Sequence, residues 1–333
     1  MSIYNSYIRK QILNQRYVNS LQQKYSKEIR AMFRRVSKRI AKEPNSERLL
    51  AIRADLAAMI NAGVGGITQQ MMLDINDFAV DEADFTARII KANSKVALRI
   101  PSANDIKIAL SLSSLSVQVG TMTMADALSN FAQGQTRAIQ RIISDSILFG
   151  DTIRDIVKQV DALQNGRPIH QVRALTRTLA NHASAQTKRK FMDDNKDAFD
   201  GEEWTAVLDG RTTDICAGLD GTIYPVGQGR YPPAHWNCRS LRVPVLSSEF
   251  NAVTNKTKRK DFDGWLKEQD KDFQDEYFSQ FIDGKTKAEL FRRGGLEMQN
   301  FTDDGTRSYT RQELIALYPK AFDKANLTTG NDA

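Results

Sequence analysis

At 333 residues, with 41% hydrophobic and 26% charged side chains, the chain is long enough for two domains and has the composition of a folded globular protein. No stretch approaches 18 consecutive apolar residues, which excludes a spanning helix. The opening Met1-Ser-Ile-Tyr-Asn5 lacks the basic patch, apolar run and cleavage site of a secretory signal. Two cysteines exclude a disulfide framework and point to synthesis in a reducing cytoplasm.

The net charge of +7 is unevenly spread: residues 1–53 hold thirteen Lys or Arg against Glu28, Glu43 and Glu47, a local net of +10, so the remainder stands near −3. A basic arm on a near-neutral body suits a polyanionic partner, the plainer alternative being a solvated helix face. Within this arm Tyr7, Val18, Ile29 and Ile40 recur every eleven residues, and Leu21 with Met32 and Tyr25 with Val36 keep the same step. That period predicts one long helix with a single apolar stripe. Arg30, Arg34 and Lys38 share another face. A helix this long cannot bury its stripe alone and packs on the rest of the protein or on a partner.

Glu43-Pro44-Asn45-Ser46 breaks the first helix, with Asn45 or Ser46 as cap for the next. Gly63-Val-Gly-Gly66 predicts a second interruption. Residues 67–160 read as further helices broken near Pro101-Ser-Ala-Asn104. Gly150-Asp151 fits a helix end before a helix over Ile153–Leu163, Gln164-Asn-Gly-Arg-Pro168 is a turn, and Ala174–Asp194 is one more helix.

The character changes at Asp200-Gly201. Trp204-Thr-Ala-Val-Leu208 predicts a short strand running into Asp209-Gly210. Asp220-Gly221 follows, and both dipeptides suit the positive φ of tight turns. Pro232-Pro233 holds an extended segment without needing donors, and Ser240–Leu246 predicts a last strand. Lys256–Lys260 is a basic linker, after which short helices are split by Gly284, Gly294-Gly295 and Gly305. No internal repeat that would suggest a solenoid is present.

The module reads, in order, Trp204, Leu208-Asp-Gly-Arg-Thr-Thr-Asp-Ile-Cys216, Leu219-Asp-Gly221 and Pro232-Pro-Ala-His-Trp-Asn-Cys-Arg-Ser240. This pattern resembles the phage Mu F-like, or SPP1 gp7-like, family of minor head (head morphogenesis) proteins. The flanks Ser146–Ile156, Arg177–Asn181, Asp263–Leu266, Gln274, Ala288–Gly294 and Thr310–Leu314 resemble the same family, so the likeness covers roughly residues 135–318. It implies a minor structural protein of a tailed-bacteriophage virion, located inside the head near the portal vertex and in the host cytoplasm during assembly. Its partners would be the portal protein, capsid or scaffold components and double-stranded DNA. Some members of the family carry further cysteines where this chain has Thr213 and Ser240, so a four-cysteine metal knuckle is absent here.

Cys216, His235 and Cys238 are the ligand-like trio of the module, and the His-x-x-Cys spacing lets two side chains converge on one ion. A structural zinc prefers four ligands, and neither Asp214, Asp220 nor His182 has persuasive spacing for the fourth. The favoured expectation is no cofactor and near-zero zinc in purified protein, with both cysteines as small buried hydrophobes; zinc at the trio is the alternative. A catalytic reading, with a Cys/His pair or a nuclease-like metal site, lacks a second acid or His at useful spacing. Arg239 is expected to bridge to Asp214 or Asp220, and Trp204 and Trp236 to be core.

Arg30, Arg34, Arg35, Lys38 and Arg39 are the candidates for nucleic-acid or partner binding, with Lys188-Arg-Lys190 as a second, weaker patch. The amino-terminal helices, with their long apolar stripe, are the expected docking element. The expected fold is α+β, predominantly helical with a small antiparallel module near residues 200–246. It divides into a helical basic region (1–165), an α+β module (166–250) and a helical tail (251–333). The expected role is structural, in head assembly and genome packaging or delivery. The rival classes are a metal-dependent DNA-processing enzyme and, more weakly, a toxin or effector fused to the module.

Overall fold

The computed structural model describes residues 3–94, 96–117, 120–250, 259–304 and 306–327. The amino-terminal Met1-Ser2, most of the expected basic linker and Gly305 lie outside the described residues. The first helix forms as its period predicts: α1 (Ile3–Ile40) runs unbroken, and Tyr7, Val18, Leu21, Tyr25, Ile29, Met32, Val36 and Ile40 are all buried. The stripe does not await a partner. It packs on α3, α6 and α7 of the same chain, which removes the reason for expecting apolar docking by α1.

After α2 (Arg48–Ala51), whose first N–H is accepted by the Asn45 side chain, α3 runs from Arg53 to Asn93 without interruption. The glycines at 63–66 do not break it. Leu56, Ile60, Val64, Ile67, Met71 and Ile75 continue one buried stripe through them, and tertiary burial outweighs the propensity cost of about 1 kcal/mol per glycine. Gly63 is also the point where the two long helices approach: a Cβ there would sit 2.9 Å from Met32 Cγ.

Helix α4 (Ala103–Leu112) is opened by a capping box of Ser102 and Asp105. The antiparallel pair β1 (Leu115–Val117) and β2 (Gly120–Met122), not predicted, lays Leu115 and Val117 on the helical core. Helix α5 (Met124–Phe149) ends on Gly150 at φ 73°, as its sequence indicates. Helix α6 (Ile153–Ala162) is capped by Thr152. Helix α7 (Arg167–Asp193) begins seven residues before the predicted start, with Pro168 in its first turn, where no N–H partner is needed. The helices α1, α3, α5, α6 and α7 enclose the largest apolar core, and Trp236 of the strand module packs against it.

The module is a three-stranded antiparallel sheet in the order β4-β3-β5, with β3 (Phe199–Thr205) central between β4 (Ile223–Tyr224) and β5 (Leu241–Leu246). The short helix α8 (Asp214–Leu219) lies in the connection from β3 to β4. Pro244 sits in β5, an edge strand whose outer N–H row is not needed for pairing. Strand β3 starts and ends earlier than predicted. Gly221 has φ 80° and closes a turn, whereas Gly210 does not have positive φ. There the turn is held by Asp209, whose carboxylate accepts the Arg211 N–H at 3.0 Å.

The tail comprises α9 (Phe262–Lys267), α10 (Lys271–Ser279), α11 (Gly284–Glu289), a π-turn over Leu290–Gly294, the pair β6 (Thr302–Asp303) and β7 (Arg307–Ser308), α12 (Arg311–Leu317) and α13 (Pro319–Lys324). It has its own aromatic core of Phe262, Tyr277, Phe278, Phe291, Phe301 and Phe322, to which Ala217 of α8 contributes. Thus α8 faces the tail on one side and the sheet on the other. The chain is predominantly α-helical, with small antiparallel sheets.

Candidate functional site

Trp204, wholly buried at the end of β3, anchors a small core with Ala206, Ile215, Leu219, Ala234 and both cysteines. Around it the segment 230–240 folds back over α8, through a cis peptide between Pro232 and Pro233 and with Asn237 in the left-handed region (φ 65°). That fold brings the predicted trio together. The Cys216 Sγ lies 3.1 Å from His235 Nε2 and 3.7 Å from Cys238 Sγ, and the three ligand atoms all fall within 4.8 Å of one another. Both thiols are reduced and buried.

His235 is oriented by its other nitrogen: Nδ1 lies 2.8 Å from the Trp236 carbonyl oxygen, which can only accept, so Nδ1 carries the proton and Nε2 presents its lone pair to the thiols. Thr213 Oγ1 lies 3.0 Å from the same Nε2 while capping α8 by accepting the Cys216 N–H. Burial is the largest single influence on His235 and disfavours a charged imidazole, but the hydrogen bond and charge of the Cys238 sulfur, together with the Trp236 carbonyl, outweigh it and raise its pKa above the ordinary value. The Cys238 thiol is pulled down by Cys216 and His235 despite its burial, and Cys216 is pushed up as the partner that keeps its proton. Thr213, Asn237, Ser240, Arg211 and Arg239 line a cleft that reaches Cys216 and His235, with room for about one water.

The predicted fourth ligands are elsewhere. Asp214 is held by the tail, with Lys287 Nζ at 3.7 Å and the Ser308 hydroxyl donating to it. His182, on α7, meets Ser113 Oγ at 2.7 Å. Asp220 is the centre of a separate cluster: Oδ1 accepts Ala206 N–H at 2.7 Å and Arg259 Nη2 at 2.8 Å, and Oδ2 accepts Phe262 N–H at 2.8 Å and Arg259 Nη1 at 2.6 Å. Arg239 therefore bridges to neither predicted acid. It forms a bidentate pair with Asp209 at 2.6 and 2.7 Å, and this pairing, working against burial, holds the Asp209 carboxyl down at about 2. Thr213 and Ser240 line the same cleft as Cys216 and His235. Arg259 and Lys287 were missed because nothing local marks them: each pairs with an acid more than thirty residues away.

The 230–240 segment is also the joint with the helices. Asn181 Nδ2 donates to the Cys238 carbonyl at 3.0 Å, Asn237 N–H to Thr178 Oγ1 at 3.0 Å and Gln11 Nε2 to the Arg239 carbonyl at 2.6 Å.

On the basic face of α1 the five candidates separate. Arg34, Arg35 and Lys38 are exposed and, among the described residues, make no ion pair. Arg30 donates to the Gln164 carbonyl at 3.0 Å, and Arg39 pairs with Glu43. The second patch does not form: Lys188 is buried against Glu82 (3.5 Å), and Lys190 pairs with Asp194 at 2.5 Å.

Residues 137–242 match the family model described as Phage Mu protein F like protein. Over those residues, about a third of the chain, the protein is similar to a phage Mu F-like head morphogenesis family. No curated protein and no solved structure matches the chain. No helix among the described residues is long and apolar enough to cross a membrane.

Proposed function

We propose that this protein is a minor structural component that works at the portal of a tailed-phage head during assembly and genome packaging, with the carboxy-terminal half of α1 lying against double-stranded DNA. The observation that supports DNA contact is the exposed, unpaired set Arg34, Arg35 and Lys38 on a helix whose apolar side is already consumed by its own fold. What the carboxy-terminal half of α1 offers a partner is ionic. Each phosphate neutralised by such a side chain releases condensed counterions, giving affinity that is independent of base sequence and falls with salt. The family relationship of residues 137–242 supports the setting in a phage head.

Neutralising Arg34, Arg35 and Lys38 to Gln is expected to make the dependence of log Kobs on log[salt] for duplex DNA shallower by close to 3, at about 0.9 per phosphate contact. Arg30→Gln, at a side chain already used within the fold, is expected to leave the slope unchanged. Equal slopes for the triple variant and the unaltered protein would remove the DNA contact, and a loss of portal co-purification in its place would assign the patch to an acidic protein surface. A nuclease reading draws little from the cleft beside His235, which is lined by Arg211, Thr212, Thr213, Asn237 and Ser240 rather than by acids. Conversion of supercoiled plasmid in magnesium or zinc, lost on replacing His235, would reverse that judgement.

A further inference from the structure

We propose that Cys216, Cys238 and His235 bind one zinc ion, the fourth position being taken by water from the adjoining cleft, and that this ion clasps the joint between the helical bundle and the strand module. The spacing in the sequence favours no metal, because it reveals no fourth protein ligand; the geometry favours one. Zinc–sulfur bonds of about 2.3 Å at the tetrahedral angle put two thiolates about 3.8 Å apart. The two sulfurs stand 3.7 Å apart, well beyond the 2.0 Å or so of a disulfide. The Cys216 Sγ to His235 Nε2 distance of 3.1 Å is within about 0.5 Å of the corresponding sulfur–nitrogen edge.

The outer shell has the form that metal-bound histidines show, with Nδ1–H given to a backbone carbonyl and Nε2 left free to ligate. Two thiolates balance the 2+ charge, so the filled site would be neutral, as burial of both cysteines requires. Soft sulfur with imidazole selects zinc or cobalt over magnesium or calcium. With Arg211 and Arg239 rather than a carboxylate lining the open side, no general base faces the bound water, and the role is structural. One ligand comes from α8, which rests on the tail core. The other two come from the segment that Asn181, Thr178 and Gln11 hold to α7 and α1. The ion would join the two.

The test is titration of the reduced, metal-free full chain with cobalt(II). Saturation at one equivalent is expected, with visible bands of tetrahedral intensity and a near-ultraviolet sulfur-to-cobalt band, and one zinc per chain should displace it. Cys238→Ser should lose the sulfur band while far-ultraviolet circular dichroism shows the helices retained. Thr213→Cys, which puts a thiol where Oγ1 now lies 3.0 Å from Nε2, should tighten cobalt binding by at least about tenfold, the least that even an outer-shell partner contributes. That variant keeps the test decisive if Cys238→Ser does not fold. Absence of the sulfur band in the reduced unaltered chain overturns the proposal, whether or not Thr213→Cys acquires one. So does an unchanged spectrum in folded Cys238→Ser.

Discussion

Asp220→Ala is expected to destabilise the strand module by about 3–5 kcal/mol, the cost of leaving a buried cation without its counter-charge. Both partners are enclosed, with 1% of the Asp220 side chain and 10% of Arg259 exposed. Burial drives the Asp220 carboxyl up, to about 8, although the N–H groups of Ala206 and Phe262 work the other way. The contacts themselves require the ionised form: each oxygen accepts one backbone N–H and one guanidinium N–H, and a protonated oxygen would point its hydrogen at a donor. Alanine abandons four hydrogen bonds and strands Arg259. A companion Arg259→Met should therefore restore part of the loss. A urea denaturation cycle over the two single variants and the double one measures this coupling. A loss below about 1 kcal/mol for Asp220→Ala, or additive effects, would show that the cluster does not hold Ala206, Asp220 and Phe262 as one unit.

His182 should make the protein acid-sensitive between pH 6.5 and 4. It is 1% exposed, and burial lowers its pKa from 6.5 to about 4. In that window the unfolded chain takes up a proton that the folded chain refuses. The stabilisation from keeping the ring neutral is thus fully present above pH 6.5 and is lost as pH falls towards 4. The shift corresponds to about 3 kcal/mol in all, of which about 2 kcal/mol should disappear between pH 7 and pH 4.5. Gln in its place can still meet Ser113, whose Oγ lies 2.7 Å from Nε2, but cannot titrate. The stability of His182→Gln should fall less steeply over this range by that amount, in denaturation curves run at each pH. Parallel curves would mean that the folded ring takes its proton near the ordinary value.

Both predictions bear on how the molecule is joined. Helix α7 runs between two places where it is bound tightly: its amino-terminal half belongs to the large helical core, and Asn181 and Thr178 grip the segment that bears His235 and Cys238. Glu82 of α3, wholly buried, fastens the same helix through Ser184 (2.7 Å) and Lys188 (3.5 Å) and reaches α1 through Lys10 (3.3 Å) and Asn14 (2.9 Å). The helical bundle is thus joined to the sheet module through hydrogen-bonded and ionic contacts.

Features written in short-range periodicity and cap chemistry are legible in the sequence alone. The eleven-residue stripe of α1, the break at Pro44, the close of α5 at Gly150, the turn at Gly221 and the burial of Trp204 all follow from residues within a turn or two of one another, because backbone preference and one-sided burial act locally. The order of motifs from Trp204 to Ser240 was enough to indicate the resemblance found over residues 137–242. What that reading could not supply were the long-range choices. Gly63 suits a helix because Met32 approaches it from another helix. Strands β1 and β2, three residues each, are too short to show alternation. Arg239 chose Asp209 over Asp214 and Asp220, because those acids were claimed by Lys287 and Arg259 from the tail. Lys188 was withdrawn from the surface by a glutamate on α3. Likewise, the His-x-x-Cys spacing pairs His235 with Cys238, but the 3.1 and 3.7 Å separations that bring in Cys216 arise from the folding of the 230–240 segment over α8. Pairings of charge and thiol depend on which groups meet in space, and chain separation carries no information about that until the core has set the elements in place.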